Sequence, residues 1–429
     1  MSIWSENCEL QKFKELNQDI NTDILIIGGG LCGILCAYML DKQGADYVLL
    51  EADRISSKTT MNTTAKITSQ HGLIYSRLFE EFGSDFAKSY YLANEEAIKE
   101  YDELCENIDC DYKKSPSYIY SVGEDKRIKK EYETLKSLGI KSIYEKRSEL
   151  PFPISCALGF ENQASFNPIK FVSQIAKNLN IYENARVVEM IGNTAYTERH
   201  KINAKRVIVA THFPFINKHG LYFLKMYQER SYVLAIDGVR ELSGMYLDDS
   251  PGGLSFRSYK NTLLLGGGTH RTGKAGCGWA NLKEAAHKLY PDCKAKYKWA
   301  TQDCITLDGV PYIGKYSKFS DNLYVATGFN KWGMTSSMVG ARLLCDMLVG
   351  NKNEYQKIFS PQRSIFRKQL AINSVEALRG WISFGKKRCP HLGCALNYNK
   401  YEHSWDCSCH GSRFDKDGRL LNNPANSDM

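Results

Sequence analysis

Two short segments near the C-terminus place the strongest constraint on how this chain folds. Each offers a cysteine and a histidine, in CPH from Cys389 and in CSCH from Cys407, and fifteen residues separate His391 from Cys407. Two thiolates suit one iron of a [2Fe-2S] cluster, and two neutral imidazoles suit the other. The pattern therefore predicts two neighbouring loops that hold one cluster, and one-electron chemistry.

Each loop carries one more cysteine, Cys394 in the first and Cys409 in the second, so a disulfide between the loops is compatible with the pattern. The alternative is a structural zinc ion, because two cysteines and two histidines also satisfy tetrahedral coordination. Common zinc fingers space cysteine with cysteine and histidine with histidine. Here each loop mixes the two types, which favours the cluster. His403 fits neither loop and is predicted to lie at the surface.

Through these two boxes, residues 385–425 resemble the Rieske iron-sulfur proteins. The resemblance implies four cluster ligands and one disulfide, namely Cys389, His391, Cys407 and His410 as ligands and Cys394 bonded to Cys409. One departure concerns hydrogen bonds to the cluster, since Ser412 is present but Phe414 replaces the usual tyrosine. So short a module is expected to depend on its cluster, its bridge and docking onto the rest of the chain.

A second informative segment lies near the other end, where an apolar strand from Asp23 leads through glycines into a helix. This is the dinucleotide-binding fingerprint in its strand, turn and helix context. Gly28 permits the tight turn, Gly30 lets the backbone approach a pyrophosphate, and Gly33 lets the helix pack on the sheet. Amides at the helix N-terminus then receive the phosphate charge.

Glu51 ends the next strand, where a carboxylate accepts hydrogen bonds from ribose hydroxyls and repels a 2′-phosphate. FAD or NAD therefore fits better than NADP. FAD is favoured by a later strand that starts at Asn322, passes through Gly328 and Gly333, and enters a helix ending near Val349. The positive end of that helix can face a reduced flavin ring.

Residues 20–350 resemble the D-amino-acid oxidase and glycine oxidase family of flavoproteins. The run TTAKITSQHG from Thr63 is similar to a run in bacterial proteins that fuse such a module to a terminal Rieske module. The resemblance implies FAD, with Val187 of a predicted ENARV strand at the adenine. The residues that it places around FAD, besides Gly28, Gly30, Gly33 and Glu51, are Thr60, Thr63, Thr64, Lys66, Val187, Gly328, Gly333, Met334 and Thr335.

Together the two resemblances predict an α/β fold class. An FAD-binding Rossmann-like domain carries an inserted antiparallel-sheet substrate domain, and a small C-terminal all-β Rieske-type cluster domain follows. The expected limits are 20–71, 165–212 and 301–352 for the discontinuous FAD-binding domain, 72–164 and 213–300 for the substrate or cap domain, 353–384 for a linker, and 385–429 for the Rieske [2Fe-2S] domain.

The composition is that of an ordinary globular protein of two or three domains, with 429 residues, 43% hydrophobic and 24% charged. A net charge of +8 is too modest to indicate nucleic-acid binding. No apolar stretch reaches the length of a transmembrane segment. The first 20 residues lack a basic segment followed by an apolar one, so a cytoplasmic protein with mostly reduced cysteines is expected.

These features predict a dehydrogenase. In this hypothesis FAD takes a hydride from an amine or amino acid, and the cluster removes the electrons singly. An external electron carrier protein or a quinone-like acceptor then collects them. The alternatives are a reductase with reverse flow from a ferredoxin-like donor, and a non-catalytic redox sensor. The sequence identifies no catalytic acid or base.

Further candidates concern the substrate and the partner. Those for the substrate end of the flavin site are Arg271 and Arg257 for a substrate carboxylate, Tyr259 and His270 beside them, and His71 and Trp332 as walls. The basic run Lys386-Lys387-Arg388 is a candidate docking site for an acidic carrier, although a solvated charged run is the favoured interpretation.

Overall fold

The computed structural model describes residues 2–6, 8–217, 219–383 and 387–429. Ten α-helices lie within these ranges. They are α1 Leu31–Lys42, α2 Tyr75–Phe82, α3 Ser84–Cys105, α4 Lys126–Ser137, α5 Pro168–Ile175, α6 Tyr222–Lys225, α7 Ala280–Leu289, α8 Gly333–Val349, α9 Gln356–Phe359 and α10 Lys368–Ile382. Short 3-10 helices cover Ile3–Ser5 and Thr60–Asn62.

The strands of the described residues form four sheets. In chain order they are β1 Lys14–Glu15, β2 Ile20–Ile27, β3 Tyr47–Leu50, β4 Lys66–Ile67, β5 Lys113–Lys114, β6 Ser117–Ser121, β7 Ile143–Glu145, β8 Cys156–Phe160, β9 Ala164–Ser165, β10 Ile181–Glu183, β11 Glu189–Ile191, β12 Thr194–Tyr196, β13 Lys201–Val209, β14 Met226–Asp237, β15 Met245–Asp248, β16 Ser255–Tyr259, β17 Thr262–Arg271, β18 Lys294–Thr306, β19 Tyr312–Lys315, β20 Leu323–Thr327, β21 Leu396–Asn399, β22 Ser404–Cys407, β23 Arg413–Phe414 and β24 Leu420–Asn422.

The first sheet has a parallel centre. Its strands run in the order β1-β10-β3-β2-β13-β12-β11, and β20 joins β13 while β19 pairs with β20. The strands from β1 to β13 along this order are parallel, as is β20 to β13. The end of β2, from Ile24 to Ile27, is buried, because helices such as α1 and α8 cover a parallel sheet.

The second sheet has eight strands in the order β18-β14-β17-β16-β15-β6-β8-β7. All of its pairings are antiparallel except that of β15 with β6. Its longest pairing joins β14 to β18, which run side by side from Met226 opposite Thr306 to Asp237 opposite Lys294. Residues of these two strands contact the cysteine loops on one side and line a large cavity on the other.

The C-terminal module is a four-stranded antiparallel meander, β21-β22-β23-β24. Its small core is built around the cysteine loops together with Leu396, Phe414 and Ala425. The α/β sheet, the antiparallel sheet and the small all-β module confirm the predicted fold class. The residue limits of the domains stay a prediction.

The segment 353–384, predicted as a linker, contains α9 and α10 within its described part, which ends at residue 383. Asn373, Ala377 and Gly380 form the buried side of α10, because spacings of four and three residues share one helix face. The Asn373 side chain donates to the Leu224 carbonyl at 3.2 Å. The sequence does not indicate this helix clearly, because its outward side is also apolar. None of the described helices is both long and apolar enough to cross a membrane.

Candidate flavin and iron-sulfur sites

The turn between β2 and α1 contains two glycines, Gly28 and Gly33, that no other residue can replace without displacing the backbone. Gly28 has a φ of +109°, and a Cβ there would lie 2.7 Å from the Ala210 carbonyl oxygen. A Cβ on Gly33 would lie 1.9 Å from the Gly28 carbonyl oxygen. At Gly30 the nearest atom would be Thr60 Oγ1 at 3.7 Å. The space above Gly30 is therefore free for a close approach by a pyrophosphate, whereas Gly33 serves helix packing.

Glu51 lies at the end of β3, beside this turn. Its carboxylate accepts hydrogen bonds from the backbone amides of Gly29, at 2.6 Å, and Asp53, at 3.0 Å. Burial raises the pKa of Glu51. The side chain also lines the cavity above the turn, which is the position that a ribose-binding carboxylate requires.

A large cavity extends from the glycine turn to the second sheet. Of the thirteen residues predicted around FAD, ten line it, namely Gly28, Gly30, Glu51, Thr60, Thr63, Thr64, Lys66, Val187, Gly333 and Met334. Gly33, Gly328 and Thr335 do not line it. The predicted ENARV strand is wrong beyond Glu183, because Asn184 turns the chain with a φ of +54°. Val187 reaches the cavity from the loop that follows.

Lys66 is a half-buried lysine on the cavity wall. Its Nζ donates to the Tyr246 carbonyl at 3.3 Å. Burial and the neighbouring Arg257 charge lower the pKa of Lys66 to about 7. At neutral pH this amine is therefore present in both protonation states.

The sequence-based candidates for a substrate carboxylate are wrong. Buried Arg257 donates to the backbone carbonyls of Thr64, Ala65 and Phe166. Arg271 donates to the carbonyls of Ser408, at 2.9 Å, and Cys409, at 3.0 Å, and to the Asn373 side chain, at 3.1 Å. The two guanidiniums join backbone segments, and neither lines the cavity, nor do Tyr259 and His270.

Trp332 and His71 form a stacked pair at the start of α8. Their ring centroids are 4.9 Å apart with an interplanar angle of 13°. Trp332 lines the cavity, and His71 packs behind it with Nε2 3.0 Å from Thr335 Oγ1. Burial lowers the pKa of His71 to about 3, so its ring is neutral. Trp332 is thus a wall of the site and His71 supports it.

The two cysteine and histidine boxes form loops with the same backbone hydrogen bonds. The Gly393 amide donates to the Cys389 carbonyl, and the Gly411 amide donates to the Cys407 carbonyl, each at 2.9 Å. The Cys389 amide donates to the carbonyl of the residue five positions later at 2.9 Å, and the Cys407 amide does the same at 2.8 Å. This repetition presents the two boxes as a matched pair of ligand loops.

His391 and His410 face each other between these loops, with ring centroids 5.0 Å apart. The Nδ1 atom of each ring is buried and has no hydrogen-bond partner. The outer nitrogen of His391 lies 2.8 Å from Asn217 Oδ1, and the backbone of Phe223 hydrogen-bonds the His410 ring. Burial lowers the pKa of His391 to about 3, and burial also lowers the pKa of His410. Two neutral rings with unsatisfied inner nitrogens therefore lie between the loops, as cluster ligands require.

The ligand spacing distinguishes a cluster from one zinc ion. Ligand atoms around a single tetrahedral ion lie about 3 to 4 Å apart. Among the described residues, no three of the four predicted ligands have their ligand atoms within 4.8 Å of one another. The set fits two metal ions better than one.

Three further residues concern the surroundings of the cluster loops. The Ser412 side chain hydrogen-bonds the Cys389 thiol. The Phe414 side chain is fully buried, and His403 is exposed as predicted.

The predicted disulfide is not formed in this structure. Cys394 and Cys409 are both free, although their Sγ atoms and that of Cys407 lie within 4.8 Å of one another. A bridge requires a separation of about 2.05 Å. Since the two thiols are neighbours, the bridge stays a prediction.

The C-terminal module closes the cavity. Its residues Leu420, Leu421, Asn422, Asn423 and Asn426 line the same space as the glycine turn. Two amide side chains of the second sheet fasten the cluster loop. Gln228 Nε2 donates to the His410 carbonyl, and Gln302 Nε2 donates to the Gly411 carbonyl, each at 2.8 Å. No sequence signal marks these glutamines, because isolated amides in strands form no motif.

Comparisons with known proteins agree with both sites. The model of the family described as FAD dependent oxidoreductase matches residues 23–347, and that of the Rieske [2Fe-2S] domain matches residues 346–429. This chain belongs to the FAD-dependent oxidoreductase family. It carries a C-terminal Rieske domain, so the predicted enzyme class and the two cofactors, FAD and a [2Fe-2S] cluster, are confirmed.

Relatives of this oxidoreductase share one or both modules. The putative Rieske 2Fe-2S iron-sulfur protein YhfW of Bacillus subtilis is 33% identical, covering 99% of this chain and 96% of the relative. Gamma-glutamylputrescine oxidoreductase of Escherichia coli is 24% identical over 80% of this chain and 87% of its own. Glycine oxidase from Geobacillus kaustophilus superposes with a TM-score of 0.69 at 17% identity, covering 81% of this chain and all of its own, which shows a shared fold.

Proposed function

We propose that this oxidoreductase is an amine dehydrogenase that passes electrons from its flavin site to its own cluster and then to an external acceptor. One observation carries the proposal. Gln302 holds the cluster loop through the Gly411 carbonyl, and its neighbours in β18, Thr301 and Asp303, line the flavin cavity. One strand therefore contacts both the flavin cavity and the cluster loop.

A second short connection runs through the segment that follows β13. Thr211 and His212 line the cavity, while the Phe213 ring packs against the His391 ring with centroids 6.4 Å apart. Asn423 of the C-terminal module donates to the Phe213 carbonyl at 2.7 Å. The chain and its hydrogen bonds thus connect the two sites without a gap. This connection favours electron transfer within one molecule over electron transfer between molecules.

The charge at the far end of the cavity supports an amine substrate. The carboxylate of Asp303, on the cavity wall, has no hydrogen-bond or ion-pair partner within the described part of the chain. Lys331 nearby is already paired with Glu229 at 2.8 Å. The arginines of the cavity, Arg54 and Arg186, are also engaged, with Glu183 and Asp53. An unpaired, half-buried carboxylate favours a cationic ligand.

Bound FAD would supply the redox chemistry, as the acceptor of a hydride from the carbon next to the amine nitrogen. An ammonium substrate would first release one proton to water, so that it leaves as an iminium ion, which water hydrolyses to a carbonyl compound and ammonia. The two electrons would reach the external acceptor one at a time, because a Rieske cluster takes one electron at a time. The chain contributes orientation through Asp303 and shields the site with Trp332 and the C-terminal module.

Anaerobic mixing of the holoprotein with a panel of amines tests this proposal. We expect flavin bleaching followed by the electron-spin-resonance signal of a reduced Rieske cluster. Bleaching without the cluster signal would contradict internal transfer. Reduction by a ferredoxin-like carrier but by no amine would instead support a reductase, and a flavin that is reduced without turnover would support a redox sensor.

Asp303→Asn is expected to lower kcat/KM for the amine by about 10- to 100-fold, the loss of one hydrogen bond to a charged partner. Burial raises the pKa of Asp303 to about 6. The carboxylate binds a cation only when ionised, so wild-type kcat/KM falls as the pH drops below about 6, and this limb disappears in the variant. Thr301→Ser on the same strand is the control. Equal pH profiles for wild type and Asp303→Asn would refute the role.

A further inference from the structure

Apolar side chains cover the outward side of α10. Seventeen large apolar residues are exposed within the described ranges, and six of them fall between residues 366 and 382. We refer to these six as the α10 surface: Phe366, Ile372, Val375, Leu378, Trp381 and Ile382. Spacings of three and four residues put the four aliphatic members on one side of the helix. So much contiguous exposed apolar surface marks a contact site.

The opposite side of α10 lies on the cluster loops. A Cβ on Gly380 would be 2.5 Å from Cys409 Sγ and 3.3 Å from Cys394 Cβ. Trp381 lies at the boundary between the two sides, because its ring is half exposed while its Nε1 donates to the carbonyl of Leu392, next to a cluster ligand, at 2.8 Å. A helix is about 10 Å across. The cluster loops are therefore about one helix diameter from whatever contacts the α10 surface.

The segment that carries this surface is basic. From residue 366 to residue 388 its described residues include five basic ones and one acidic one, Glu376, while Lys386 lies outside the described residues. Arg367 is paired with Glu81 of α2 at 2.9 Å. Glu376 is only 12% exposed and is paired with Lys274 and Arg379, whereas Arg379 is 72% exposed. A second copy of the chain would oppose like charges across the contact. An acidic electron carrier would match the basic charge. Its charged surface would not match the aliphatic and aromatic side chains at the centre of the α10 surface.

An anionic lipid surface matches both properties. Interfacial helices bury leucine, isoleucine and tryptophan side chains at the boundary of headgroups and acyl chains, while flanking lysine and arginine side chains pair with lipid phosphates. We propose that the α10 surface docks this protein on an anionic membrane, with the cluster loops on the membrane side. The docking is independent of the substrate and of the direction of electron flow.

Sedimentation of the full-length holoprotein with vesicles tests the proposal. We expect binding to phosphatidylglycerol vesicles that is at least tenfold tighter than binding to phosphatidylcholine vesicles and that weakens with added salt. The double variant Leu378→Glu, Ile382→Glu is expected to lose at least tenfold in binding. Phe319→Glu is the matched control, since Phe319 is 91% exposed on another segment. Flavin and cluster absorbance, unchanged in each variant, show that the fold is intact.

Four results would overturn the proposal. Wild-type protein that does not sediment with phosphatidylglycerol vesicles is one, and equal binding by the double variant is another. Self-association that the double variant abolishes, without vesicle binding, would assign the surface to a second copy. Binding of an acidic carrier protein through α10, without vesicle binding, would assign it to that partner.

Discussion

Gly33→Ala is expected to yield a protein without FAD and with a free energy of unfolding lower by about 3 kcal/mol, the upper end for an overpacked site. The added methyl group would lie 1.9 Å from the Gly28 carbonyl oxygen, so α1 has to move away from the glycine turn. The better helix propensity of alanine offsets about 1 kcal/mol at most. Thermal unfolding of the apoprotein and the flavin content of purified protein measure the two effects.

Gly30→Ala is the matched control, three residues away in the same turn. Its methyl group would meet only Thr60 Oγ1, at 3.7 Å, and the φ of Gly30 is −74°. We expect the apoprotein to lose at most about 1 kcal/mol, since alanine is a poorer N-cap than glycine. FAD binding should nevertheless weaken, because the methyl group enters the space above the turn. Wild-type stability and flavin content in Gly33→Ala would contradict the packing argument.

The second large effect is expected at Glu402, where the C-terminal module meets the second sheet. Its carboxylate accepts hydrogen bonds from Arg230 Nε of β14, at 2.9 Å, and from Arg413 Nη2 of β23, at 3.1 Å. The side chains of all three residues are less than 10% exposed. Glu402→Ala leaves two buried guanidiniums without this partner, which costs about 3–5 kcal/mol. Denaturant unfolding followed by cluster absorbance measures the loss.

The contribution of Glu402 also depends on pH. The two neighbouring arginines outweigh burial and lower the pKa of Glu402 to about 2. The pKa of this carboxyl group is therefore lower in the folded protein than in the unfolded chain, where it is about 4.3. The difference contributes about 3 kcal/mol to the free energy of unfolding above pH 4.3, and this contribution is lost as the pH falls toward 2. Glu402→Gln should remove this pH dependence. Asp417→Ala is the control, because Asp417 is 62% exposed and should change stability by less than about 0.5 kcal/mol. An equal effect at both positions would disprove the interface role.

Local patterns were enough for the cofactor loops. Gly28, Gly30 and Gly33 lie within six residues, and their roles follow from one turn and one helix start. The cluster boxes are equally compact, and the structure places the His391 and His410 rings edge to face, with centroids 5.0 Å apart. In both cases the residues that act together are close in sequence, so their spacing already contains the geometry.

Predictions that required distant contacts were wrong or absent. Arg257 and Arg271 are arginines beside turns, and the sequence does not show that backbone carbonyls up to 193 positions away occupy them. The predicted ENARV strand ends early because Asn184 adopts a positive φ. The linker contains α10, whose buried side depends on Leu224 and the cysteine loops. No sequence pattern identifies Asp303 as a site residue. It becomes a candidate only because the fold places its carboxylate on the cavity wall without a hydrogen-bond or ion-pair partner among the described residues.

The sequence by itself determined that this protein has a flavin site and a cluster site, because each is specified by a few residues in one continuous segment. Only the tertiary structure decided how the two sites meet. Gln228 and Gln302 lie 182 and 109 residues from the loop carbonyls that they hold. Such pairs form when burial of the second sheet against the C-terminal module leaves backbone carbonyls that need donors. That need arises from packing between distant segments, which no local pattern encodes.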